Sequence, residues 1–303
     1  MEKRLIRRTG FLVIYFSGAS FPQQDKTTSL VRKKDFFRNH YHHIHSKRGR
    51  GIPLKATAFT VEKIPLIKPG DNIGRLISVR TELKDHDIVI ISSTVASKSE
   101  NMIRCIRDIT VTERAKDIAL RNNIEPEFAQ AVLNESIEVL LESPFLLVCM
   151  KNGSICVNAG IDHSNVEGSD NILLLPEDAD KSARKIKDSL FELTGKKVSV
   201  IITDTNGRAF RIGQTGAAIG IAGIKAMRDW RGTCDLFGRV LEVKNEGVVD
   251  EIAGFANLLM GEGDGGTPVV VIRGIDMYHE SDGIRELLRP ENEDMIRKAL
   301  RSL

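Results

Sequence analysis

Four short polar clusters in this 303-residue chain carry residue types that could do chemistry. Asp204, Thr205, Asn206, Gly207 and Arg208 follow directly on the β-forming run VSVIIT, so a carboxylate, a hydroxyl, an amide and a guanidinium meet where a buried strand surfaces. Oxygen donors such as Asp204 and Thr205 suit Mg²⁺ or Mn²⁺, Gly207 brings backbone close, and Arg208 faces negative charge. Asp162, His163, Ser164 and Asn165 offer a second oxygen-rich set just after Gly160. Ser93, Thr94 and Lys98, at the end of DIVIIS, supply two hydroxyls and an ammonium that can contact phosphate or ribose oxygens. Glu262, Gly263, Asp264, Gly265, Gly266 and Thr267 form a glycine-rich turn whose bare N–H groups can cradle phosphate and whose carboxylates can share a cation. Each cluster also has a plainer use as an Asx-turn, a helix N-cap or a flexible connection. Their repetition at the ends of apolar segments singles them out, because such groups are costly to bury without partners.

The segments that must position these groups alternate between strand and helix patterns. AFTVEKIPLI reads as a strand, IGRLISV as a second apolar segment, and DIVIISST as an aliphatic strand of the kind buried on both faces. Two helices are expected over about 112–121 and, as one continuous unit, over EFAQAVLNESIEVLLE. FLLVCMKNGSICVNAG has two β-rich runs joined by Asn152-Gly153, a strong hairpin signal. A helix with Ala183, Ile186, Leu190 and Leu193 on one stripe is closed by Gly195. GVVDEIAGFANLLMG reads as another amphipathic helix, and VVVIRG as the strand after it. Hairpin signals among alternating strands and helices predict a mixed α/β (α+β) fold, with mixed sheets and flanking helices, rather than a simple doubly wound sheet. Trp230, the only tryptophan, sits among Arg228, Asp229 and Arg231 and is expected to serve a core or subunit contact.

Composition narrows the function classes. A chain with 41% hydrophobic and 28% charged residues can bury a core without staples, and Cys105, Cys149, Cys156 and Cys234 form no C-x-x-C pair. The net charge of +3 hides an asymmetry: residues 1–55 hold 13 Lys/Arg against 3 Asp/Glu, leaving 31 against 38 for the remainder. The acidic remainder argues against a nucleic-acid surface. No apolar run is long enough for a transmembrane helix, so neither nucleic acid nor a membrane is expected as a partner, and a cytoplasmic location is. Residues 1–57 are expected to form a poorly ordered basic extension, including His40, His42, His43 and His45, with a single domain over 58–303. Neither G-x-G-x-x-G nor G-x-x-x-x-G-K-[ST] occurs, so a nucleotide would have to be held some other way.

The clusters gain meaning from their order. PLIKPGDNI, DIVIISSTVASKSE, NAGIDHSN, LLPEDADKSA, ITDTNGRAFRIGQTGAAIGIAGI, RDWRG, DLFGR, DEIAGFANLLMGEG and PVVVIRG together resemble the coenzyme F420-0:L-glutamate ligase (γ-glutamyl ligase) family over about residues 58–275. The resemblance implies an intertwined homodimer and a GTP-dependent ligation. GTP phosphorylates the carboxylate of the deazaflavin precursor F420-0, and the amino group of L-glutamate displaces phosphate from the acyl phosphate. It implies Mg²⁺ or Mn²⁺ and K⁺ as cofactors. Carried over residue by residue, it places metal ligands at Asp162, Asp204, Thr205 and Glu262, with catalytic roles at Asp162 and Asp204; Arg208 joins them as a catalytic candidate on its charge, which can neutralise phosphate directly. GTP contacts fall at Ile64, Pro65, Leu66, Ile67, Ser93, Thr94, Lys98, Asn165 and along Met260, Gly261, Glu262, Gly263, Asp264, Gly265, Gly266 and Thr267. No covalent nucleophile is needed, because the reacting groups belong to GTP and the two substrates while the protein supplies placement and field. Other expectations the residues leave open are a ligase of the same fold acting on another carboxylate, a GTP-binding protein without catalysis, and an RNA-binding role for residues 1–55.

Overall fold

Aliphatic runs with no charged interruption become the central strands, because only a segment apolar on both faces can lie between two helical layers. The computed structural model of the protein describes residues 55–280 and 283–302. In chain order the elements are β1 (Thr57–Thr60), α1 (Ile73–Ser78), β2 (Ile88–Ser92), α2 (Ser93–Ser99), β3 (Ile103–Cys105), α3 (Glu113–Asn122) and α4 (Pro126–Glu135). They continue with β4 (Ser136–Leu141), β5 (Leu147–Met150), β6 (Ile155–Val157), β7 (Asn171–Leu173), α5 (Ala179–Thr194), β8 (Ser199–Arg208) and β9 (Arg211–Ala222). The last are β10 (Arg228–Asp229), β11 (Asn245–Glu246), α6 (Val248–Met260), β12 (Val269–Arg273) and α7 (Met295–Leu300).

The principal sheet has the order β1-β12-β2-β8-β9, with β2 and β8 parallel and the other neighbours antiparallel. Alternate residues of β8 face opposite layers: Val200 and Ile202 join a core with α1, α2 and α5, while Ile201 joins a core with α6. A third core, under Phe128, Val132, Leu146 and Ile172, holds α3, α4 and the smaller sheets β4-β5-β6 and β3-β7. Local signals fix the helix ends. Asp178 accepts from the Lys181 N–H at the start of α5, Gly195 closes it in the left-handed conformation, and Thr112 caps α3. The fold is thus the mixed α/β arrangement expected.

Several element boundaries differ from the sequence reading. The helix expected over 127–142 ends at Glu135, and Ser136–Leu141 instead pairs with β5; β-branched Ile137 and Val139 plus the available sheet edge outweigh the helical spacing. IGRLIS, read only as an apolar segment, is a helix capped by Asn72. Of AFTVEKIPLI only its first three residues are strand, as the end of β1 (Thr57–Thr60), which leaves Ile64–Ile67 outside regular structure. The glycine-rich stretch from Arg211, to which the sequence reading gave no element, is the twelve-residue strand β9. Leu193 is half exposed, so the buried stripe of α5 stops at Leu190. The basic extension expected over 1–57, with its histidines, lies up to residue 54 outside the described residues. Among the described residues no helix is long and apolar enough to cross a membrane.

Candidate active site

Parallel strands β2 and β8 stay paired as far as Ser92 and Thr203, and beyond that point, at the carboxyl end of β2, lies a cleft of about 720 Å³. This is where open α/β sheets present ligands. Five separate stretches line it: Ile64, Pro65, Leu66 and Ile67; Ser93, Thr94 and Lys98; Asp162 and Asn165; Asp204 and Thr205; and Met260, Gly261, Glu262, Gly263, Asp264, Gly266 and Thr267. Two of the expected residues are elsewhere. Gly265 does not line the cleft, and Arg208 stands exposed at the tip of the β8–β9 hairpin, paired across it with Arg211.

Asp204 is the most constrained group in the cleft. Its Oδ1 accepts a hydrogen bond of 2.8 Å from the Ser93 hydroxyl, at the first residue of α2. Burial pushes its carboxyl up to about 6; hydrogen bonds from Ser93 and the Thr205 N–H oppose the rise, and the negative charges of Asp162 and Glu262 add to it. Two carboxylates from other segments therefore act on Asp204 here. Alternation along β8 turns Thr205 to the opposite face, where its hydroxyl donates to Glu262 Oε1 at 2.9 Å and Asn257 Nδ2 reaches the same oxygen at 2.7 Å.

The facing wall is a loop. Asp162 is held in an Asx-turn by the Ser164 N–H and hydroxyl, each at 2.7 Å, after a turn in which Asn158, Ala159 and Gly160 all have positive φ. Gly160 is required there twice over, because a Cβ would also stand 2.5 Å from Leu175 Cδ1. Lys98 spans the two walls: its ammonium donates to the Asn165 carbonyl, and burial holds its pKa below the ordinary value, partly offset by the charge of Asp162.

The donors at hand, Asp162, Asp204, Glu262 and the Thr205 hydroxyl, are all hard oxygens, the chemistry that Mg²⁺ and Mn²⁺ take. Among the described residues no three His, Cys, Asp or Glu side chains stand close enough to make a complete cage.

The sequence reading missed Asn257 and Gln214, which line the cleft. Asn257 lies within an amphipathic helical pattern that gives it no distinction; its signal is its place five residues before Glu262, within reach of the next turn. Trp230 lies outside the cleft lining, half-buried, its indole donating to Glu246 at 2.9 Å with the Arg228 guanidinium 5.4 Å above the ring.

Comparison with known proteins gives the chain its class. Residues 62–274 match the family model described as F420-0:Gamma-glutamyl ligase. The coenzyme F420:L-glutamate ligase of Methanosarcina mazei is 54% identical over 251 residues, covering 82% of this chain and 98% of that protein. Its namesake from Archaeoglobus fulgidus is 54% identical over 248 residues, 82% and 99% of the two chains, and that from Haloarcula marismortui 46% over 249 residues, 80% and 96%. The protein is thus an enzyme of the ligase class, forming an amide bond. The chain belongs to the F420-0:gamma-glutamyl ligase family.

Proposed function

We propose that the chain joins L-glutamate to the deazaflavin precursor F420-0, and adds further γ-linked glutamate, at the expense of GTP. The observation that carries this reading is the convergence of Asp162, Asp204, Glu262 and Lys98, from four separated segments, on one cleft at the ends of a parallel strand pair. In the reaction the acceptor carboxylate oxygen takes the γ-phosphoryl group and GDP leaves. The glutamate nitrogen then attacks the carbonyl carbon, losing a proton as phosphate departs.

The chain's part is placement and charge. Lys98 and the N–H groups of the Gly261–Gly266 turn hold phosphate oxygens, while Ile64–Ile67 cover an apolar ring. Asp162, Asp204, Thr205 and Glu262 are the residues that would hold Mg²⁺ or Mn²⁺, which when bound neutralises phosphate charge. K⁺ is proposed as a further activator, and cytoplasm as the location. A homodimer is proposed as well: Phe210, Ile212, Leu236 and Phe237 are each more than 85% exposed, an apolar set that a second copy of the chain would cover.

Mass spectrometry of F420-0 incubated with the protein, GTP, Mn²⁺ and L-glutamate tests the reading. Products heavier by one and then further glutamyl residues are expected, with none when GTP or L-glutamate is left out. Unchanged F420-0 in the complete mixture would contradict it.

A further inference from the structure

The geometry points to Asp180 and Asp250 as a pair of positioning residues: from two helices they clamp the bulge in β9 that sets how β8 delivers Asp204 to the cleft. The inference rests on Asp204 acting in that cleft, as proposed above.

β9 is an edge strand, and its register against β8 slips by one residue, from Ile202↔Gly220 to Thr203↔Ala218. Ile219 is therefore an extra residue, and the side-chain parity of β9 reverses across it. Two glycines depend on that reversal. Gly220 meets α5, where a Cβ would stand 2.3 Å from the Ala179 carbonyl carbon; Gly216 meets α6, where a Cβ would stand 2.6 Å from the Ala253 oxygen. In an unbulged strand residues four apart share one face and could not dock two helices on opposite faces.

The same reversal lets the Ile221 and Ala218 N–H groups, three residues apart, both turn from β8 to the open edge. Neither is left to water. Asp180 Oδ1 accepts from the Ile221 N–H at 2.7 Å, and Asp250 Oδ1 accepts from the Ala218 N–H at 2.9 Å. The two acceptors bracket the bulge, one from the first turn of α5 and one from the first turn of α6. Both carboxyls are pushed up by burial, with the backbone N–H bonds opposing the rise. Neither residue lines the cleft. What they hold lies next to it: Ala218 pairs with Thr203 and Ala217 with Asp204, and the Thr203 hydroxyl donates to the Ala217 carbonyl at 3.2 Å. A bulge bends and twists its ladder, so its exact shape decides where the next carboxylate points.

The test compares Asp250→Ala, which removes the acceptor, with Asp250→Asn, which keeps one, in the full chain well below each variant's Tm. Wild-type glutamate addition is measured first; a wild-type chain without product counts against the proposed function, and amide exchange at Ala218 and Ile221 then decides the clamp alone. Asp250→Ala is expected to lower kcat about 10-fold or more with KM for GTP little changed, to speed exchange at Ala218, and to be largely rescued in Asp250→Asn. Asp250→Ser serves the same comparison if the alanine variant does not fold. A lowered Tm with wild-type kcat and wild-type exchange at Ala218, or an asparagine variant as impaired as the alanine one, would overturn the inference.

Discussion

Asp204 projects from β8 one residue past its last pairing with β2, where β9 still pairs with it, whereas Asp162 projects from a loop joined to β7 by an isolated bridge to Leu173. Both reach the same cleft. The strand wall can hold a carboxylate in a desolvated position that it would not choose freely, since the sheet leaves it nowhere to go. The loop wall is anchored at Ile161 in the third core, but beyond it most of residues 163–169 are exposed and rest on the Asx-turn, the His163–Phe128 ring contact and the Lys98 tether.

Glycine substitutions should break this comparison most strongly. Gly220→Ala forces a Cβ into the backbone of Ala179 and is expected to lower stability by about 3 kcal/mol in urea titrations. Gly168→Ala, on the loop wall, meets only the flexible Asn171 side chain 3.0 Å away at a positive φ and should lose about 1 kcal/mol. Equal losses would mean that the two walls are equally rigid.

Asp204→Asn sharpens the same contrast through pH. The folded carboxyl titrates near 6, above the 3.8 of an ordinary aspartate, so its protonated form is favoured by the fold and that advantage is lost as pH rises through about 6. A permanently neutral asparagine should therefore be more stable than wild type by about 2 kcal/mol at pH 7.5 and equal to it near pH 4, read from Tm at the two pH values. A variant no more stable at pH 7.5 would mean that the strand wall stores no such cost. Lys98→Met, the smallest of the three, should raise KM for GTP about 10-fold and speed amide exchange over residues 162–168, because it removes the tether between the walls.

The sequence made the strand wall more legible than the loop wall. VSVIIT ending in DTNGR carries β-formers and then polar groups in one short stretch, and the α5 stripe closed by Gly195 reads directly as a helix end. Ser136–Leu141 was hidden because its apolar residues also satisfy helical spacing, and only pairing with the partner strand β5 decides between the two. β9 was hidden because Gly213, Gly216 and Gly220 lower strand propensity, although two of them are there to admit helices. Asn257 could not be singled out, since what marks it is Glu262 folding back upon it. Arg208 attracted attention through its charge, yet the hairpin carries it past the cleft.

The most direct test of a single site built from both walls is a double-mutant cycle on glutamate addition to F420-0, with Asp162→Ala, Asp204→Ala and the two combined. Each single variant is expected to lose about 10³-fold in product formation, and the double variant to fall little further, because groups that act as one unit are not additive. Wild-type turnover in either single variant, or losses that multiply in the double one, would contradict a shared site.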